Sequence, residues 1–231
     1  MYDIPQDNRH PLAARFADFI GGADFPCVGA KAAANRDGIS FVVARDFGSA
    51  WDDLRIMPGL LDLAKRYRAD PVPFQSLVVL FETGAPDGEE AFETQLWKRL
   101  QSLTDKDQWL GQAADPRVAH DPDDPHFAMS FGGEAFFVVG LHPRSSRPAR
   151  RFEVPAMVFN LHDQFERLRA AGRYDKLRGT ILTRDLKLAG SLNPMLSEHG
   201  TKSAARQYSG RAVSDAWQCP FRGRQDAQDA A

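Results

Sequence analysis

Leu12, Phe16, Phe19 and Ile20 fall on one face of a helix, and the Gly21-Gly22 pair that follows offers left-handed backbone where a helix can stop. Residues 24–31, which include Phe25-Pro26-Cys27, read as a loop passing into a small-residue segment. The apolar run at 39–44 has the length of a buried strand. From Ser49 a helical pattern returns through Trp51, Leu54, Leu61 and Ala64, interrupted by Met57-Pro58-Gly59. Proline cannot donate the hydrogen bond of a helix interior, so two shorter helices are expected there. Residues 77–81 read as a second strand. Asp87, with Glu90 three residues on, has the spacing of a helix cap, and Phe92, Leu96, Leu100 and Leu103 share a face of the helix it opens. A further short helix is expected at 104–110.

Residues 113–126 are too rich in proline and aspartate to fold alone and read as a surface loop or an inter-lobe connection, the best internal boundary of the chain. Gly132-Gly133, between the apolar runs 127–131 and 135–141, has the composition of a tight β-hairpin turn. An arginine-rich loop at 143–151 leads to a last strand at 156–159 and a helix at 161–171 closed by Gly172; the remainder reads as helical or irregular. The hairpin breaks any strict alternation of strand and helix. The expected class is therefore α+β, with a mixed-sheet α/β variant open: one domain over 1–231, its mixed sheet flanked by helices, with the acidic loop between an N-terminal lobe and a basic C-terminal lobe.

Charge sharpens that division. The whole chain carries a formal charge of -2, which gives no bulk attraction for nucleic acid or anionic lipid, yet residues 142–224 hold 16 basic and 7 acidic side chains. The second half is thus a candidate anion-binding half. Two cysteines, Cys27 and Cys219, make neither a disulfide framework nor a zinc site, and each reads as a packed structural thiol. The start of the chain lacks a basic leader, and no apolar run approaches the ~20 residues needed to span a bilayer, so a cytoplasmic protein without membrane insertion is expected.

No phosphate loop, dinucleotide glycine fingerprint, nucleophile-elbow serine or metalloprotease helix is present. His142 directly follows a buried strand, where a rigid scaffold can aim it into a cleft; the plainer alternative is a strand-end histidine satisfied by backbone hydrogen bonds. Arg144, Arg147, Arg150 and Arg151 offer planar donor forks for carboxylates or phosphates, or else form a solvated loop paired with the acidic first half. Asn160 begins a helix and is a candidate cap. His162, in its first turn, faces either solvent or the cleft.

The ordered set Phe25-Pro26-Cys27, Leu141-His142-Pro143 with its trailing arginines, Val158-Phe159-Asn160-Leu161-His162-Asp163-Gln164-Phe165, Leu192-Asn193-Pro194-Met195-Leu196, Gln207-Tyr208-Ser209-Gly210-Arg211 and Trp217-Gln218-Cys219-Pro220-Phe221-Arg222 resembles the YqcI/YcgG family. That family includes small haem-dependent N-hydroxylases acting on guanidino groups. The resemblance implies a haem b oxygenase outside the P450 fold, taking a guanidine or amine small molecule such as an L-arginine-like substrate, dioxygen or peroxide, and electrons from a donor protein. The haem iron itself would carry the catalysis. Haem needs an axial side chain, for which His142 is the first choice and His162 the reserve. Its propionates give Arg144, Arg147, Arg150 and Arg151 a role. Asn160, Asn193, Glu198 and Gln207 are candidates to hold the substrate. A haem-binding or haem-sensing protein without turnover, and an anion-binding protein without haem, remain the alternatives.

Overall fold

The computed structural model describes residues 7–196 and 200–224. Its centre is one five-stranded mixed sheet in the order β1-β2-β5-β4-β3, from β1 (Ile39–Asp46), β2 (Ser76–Thr83), β3 (Met129–Phe131), β4 (Glu134–Leu141) and β5 (Ala156–Leu161). β1 and β2 run parallel and the other neighbours antiparallel, so the α+β expectation holds. β3 and β4 form the expected hairpin, with both turn glycines at positive φ. The segment 113–126 does not divide two cores: β5, which follows it, pairs with β2, which precedes it, and Asp115 within it is buried.

Helices cover both faces. Val42, Leu77, Val79, Phe136, Val138 and Phe159 point to the face packed by α3 (Asp53–Ala69), α4 (Glu89–Trp109) and the short α7 (Ala205–Tyr208). Their neighbours Phe41, Val43, Val78, Val139, Leu141 and Val158 point the other way, towards α1 (Pro11–Gly21), α2 (Val28–Ala34), α5 (His162–Ala170) and α6 (Tyr174–Ala189).

Four local expectations are corrected. α3 is one helix containing Pro58: the carbonyl it leaves unpaired belongs to Leu54, which is exposed, and Gly59 beyond it lets the helix press on Val42 and Leu77. α4 continues through the stretch expected as a separate helix at 104–110, and its cap is Gly88, while Asp87 instead pairs with Arg144. Residues 28–31, expected as loop, instead open α2, which runs on to Ala34 and is capped by Cys27, its Sγ accepting from the Ala30 N–H at 3.4 Å. Asn160 is not a cap: it lies in β5, and Leu161 occupies the cap position of α5.

Candidate functional site

On the second face α6 stands off the sheet. Asp185 is its one buried residue, and Leu177 and Ile181, one turn apart, look across open space at β4 and β5. That space comprises two cavities of about 300 Å3 and 260 Å3 whose walls share Cys27, Val139, Asn160, Phe165, Leu177, Ile181 and Leu196. The first extends past Phe137 to His126, His162, Arg169, Tyr174 and Gln207; the second runs under Phe25, Phe74, Leu141 and Val158 to Arg147 and Arg150. Such mainly apolar concavities with a few converging polar groups are the usual form of a small-molecule site. A third cavity, also of about 300 Å3, meets the first at His126 and His162 and is lined by Asp115, Arg117, Asp163 and Glu166.

The polar groups of the wall are oriented by the sheet and its loops. Asn160 accepts from the Ser76 hydroxyl at 2.8 Å and donates to the Phe137 carbonyl at 3.3 Å, which holds its amide at the junction of the two apolar cavities. Asn193 lines the second cavity and accepts from the Met195 N–H at 3.0 Å. Burial raises the Cys27 thiol above its ordinary range, against the pull of the Ala30 and Gly29 amides and of Arg150, so it stays protonated at neutral pH. Glu198 lies outside the described residues.

His142 is not aimed into this space. Alternation along β4 turns Phe137, Val139 and Leu141 to the cavities and Phe136, Val138 and Gly140 to the opposite face, and His142 continues the second set. Its ring is 1% exposed and stacks on Phe92 with centroids 4.3 Å apart, and among the described residues neither nitrogen has a hydrogen-bond partner. His162 does line the first cavity, through the first residue of α5, with Nε2 3.7 Å from Glu166.

The arginine loop divides in the same way. Arg144 is exposed against Asp87, and Arg151 donates to the Ser145 and Ser146 carbonyls, shaping the loop from inside. Arg147 and Arg150 face the second cavity. Elsewhere the basic half is neutralised by the acidic one, through Arg211 on Glu93 and Arg224 on Asp107. Sequence reasoning missed the cavity roles of Cys27, Phe165, Arg169, Leu177 and Ile181. The four-residue spacing of Leu177 and Ile181 was the available signal.

Among the described residues no cluster of three or more His, Cys, Asp or Glu side chains could hold a metal ion, and no helix is long and apolar enough to cross a membrane. The fold is a single five-stranded mixed sheet of α+β type with two mainly apolar cavities between α6 and the sheet. Residues 16–222 match the YqcI/YcgG family, and the chain belongs to it. Neither the curated proteins nor the solved structures contain a match to this chain.

Proposed function

We propose that the protein is a haem-dependent monooxygenase that N-hydroxylates a guanidino or related amine small molecule. The observation that carries the reading is the pair of joined apolar cavities whose walls bring together side chains able to donate to iron, Cys27 and His162, and two arginines at the far end. The donor set fits an apolar macrocycle with anionic substituents once the axial ligand is taken from the cavity wall, which His142 does not reach. His162 is then the imidazole donor, and the Cys27 thiol is the other group in reach. Bound haem would supply an iron centre at which dioxygen or peroxide is activated. The wall is mainly apolar, Asn160 offers an amide at the junction, and Asp163 and Glu166 beyond His162, each paired with arginine, would have to exchange those partners to take a cationic substrate group.

The test is the visible spectrum of the purified chain after haemin addition, followed by assay of arginine and simple guanidines. A Soret band and oxygen-dependent hydroxylated product are expected. Failure to take up haemin sinks the reading; a stable Soret band without product would leave a haem-binding or haem-sensing protein. The reduced carbon monoxide complex separates the two donors, since thiolate ligation moves its Soret maximum strongly to the red and imidazole ligation does not.

A further inference from the structure

Arg150 is a permanent cation for which, among the described residues, no carboxylate stands within ion-pair distance. Nη1 donates to the Gly140 and Tyr208 carbonyls at 3.1 and 3.0 Å, and Nη2 to the Gln207 carbonyl at 2.9 Å. Carbonyls satisfy N–H groups without supplying counter-charge, and a guanidinium has five such donors, so some remain uncommitted. Asp185, the acid whose field reaches Arg150, is already closed by Arg147. Cys27, its other ionisable neighbour of acidic type, is held as a neutral thiol. Burial draws the Arg150 guanidinium down to about 10, the sign of a charge that its surroundings do not compensate. The side chain nonetheless lines the second cavity, among Phe25, Val139, Leu141 and Val158.

We propose that Arg150 anchors the carboxylate of an apolar acid bound in this cavity. The inference rests on reading the cavity as the ligand site, and it assigns to one arginine the role that sequence spreads over four. Arg144 and Arg151 are spent on Asp87 and on loop carbonyls, and Arg147 on Asp185. A porphyrin propionate and the carboxylate of a simple fatty acid share the required chemistry, an anionic group on an apolar body. Esterifying either one removes the charge and keeps the body.

The experiment titrates the full chain with haemin and haemin dimethyl ester, and with decanoate and methyl decanoate. In at least one pair the acid is expected to bind roughly tenfold or more tightly than its ester, the factor a charge-assisted contact supplies. Arg150→Met is expected to bring the acid to the level of the ester, while Arg150→Lys and Arg144→Ala keep the preference. Equal binding of acid and ester in both pairs, no binding of any of the four, or a preference that survives Arg150→Met overturns the anchor. Arg150 also ties three carbonyls, so if the Met variant does not fold, the comparison on the unaltered chain decides. A preference for decanoate without uptake of either porphyrin upholds the anchor and overturns the haem reading. Haemin and its dimethyl ester bound alike, with no preference for decanoate, does the reverse.

Discussion

Arg147, in the loop between β4 and β5, closes an ion pair with Asp185 near the end of α6, and the same guanidinium donates to the Ser191 hydroxyl and carbonyl at 3.2 and 2.9 Å. The C-terminal end of α6 is therefore held by polar contacts. At its other end Tyr174 lies against Arg169, 4.4 Å from guanidinium carbon to ring centroid, just after Gly172 at positive φ. Between these points the helix covers cavity instead of core.

Asp185→Asn should accordingly loosen α6 more than the sheet. Both partners are largely buried, and replacing the carboxylate weakens a charge-assisted contact by about 1–3 kcal/mol. Amide hydrogen exchange is expected to rise across α6 with β2, β4 and β5 unchanged. Uniform acceleration over the sheet, or none in α6, would show that the pair does not secure the helix.

His142 should make stability fall in mild acid. Burial lowers its folded-state pKa, outweighing the attraction of Glu89, with Arg150 acting in the same direction as burial. The unfolded chain then binds more protons than the fold as pH drops below about 6.5, so the stability present above that pH is lost on acidification. His120, lowered chiefly by burial, adds to the same window. His142→Phe keeps the stack on Phe92 and removes two unpartnered nitrogens, so denaturation midpoints at pH 7.5 and 5.5 should differ less in the variant than in the parent chain. An unchanged difference would mean that His142 does not titrate across this range.

His142 also shows which information the sequence carries. Strand β4 and its end were legible from the apolar run, and so was the face to which each residue turns, since a period of two links His142 with Gly140 and Val138. Position at a strand end was the weaker guide, because a strand end aims at either face. Other misses have different causes. Cysteine is not an ordinary cap, so α2 left no start signal, and Pro58 is accommodated within the early part of α3, where the carbonyl it orphans belongs to exposed Leu54. The cavity was illegible for a more general reason. It is space left unfilled between α6 and the sheet, and neither contact partner can be read from one sequence; its polar side chains Asn160, His162, Arg147, Arg150, Asn193 and Gln207 stood out one by one, but not the apolar wall that joins them.

Glu93 should prove structural rather than part of the site. Its carboxylate is buried on α4 and accepts from Ser209 Oγ at 2.9 Å, from the Arg211 guanidinium and from Trp217 Nε1 at 3.3 Å. Three groups from the last part of the chain thus converge on one side chain. Glu93→Gln removes the charge that compensates Arg211 and is expected to cost about 2–4 kcal/mol in chemical denaturation. Retained stability would mean that the rest of the tail packing suffices.

Gly140 tests the packing of the opposite face. It sits in β4 between the cavity layer and α4, and a Cβ there would stand 2.7 Å from Phe92 Cε1 and 3.0 Å from the Tyr208 carbonyl oxygen. Phe92 cannot simply swing aside, because it stacks on Phe47 at 5.1 Å as well as on His142. Tyr208 is fixed too, its carbonyl accepting from Arg150. Gly140→Ala must therefore displace α4 or α7 relative to the sheet, at a cost of about 1–3 kcal/mol typical of an overpacked core. If the displacement falls on α7, the carbonyls of Gln207 and Tyr208 move with it, and Arg150 shifts in the cavity. The variant is then expected to lose both thermal stability and part of the preference for the acid over its ester. A loss of stability with that preference intact would place the adjustment in α4 alone, and undiminished stability would show that the close contact at Gly140 is not tight in solution.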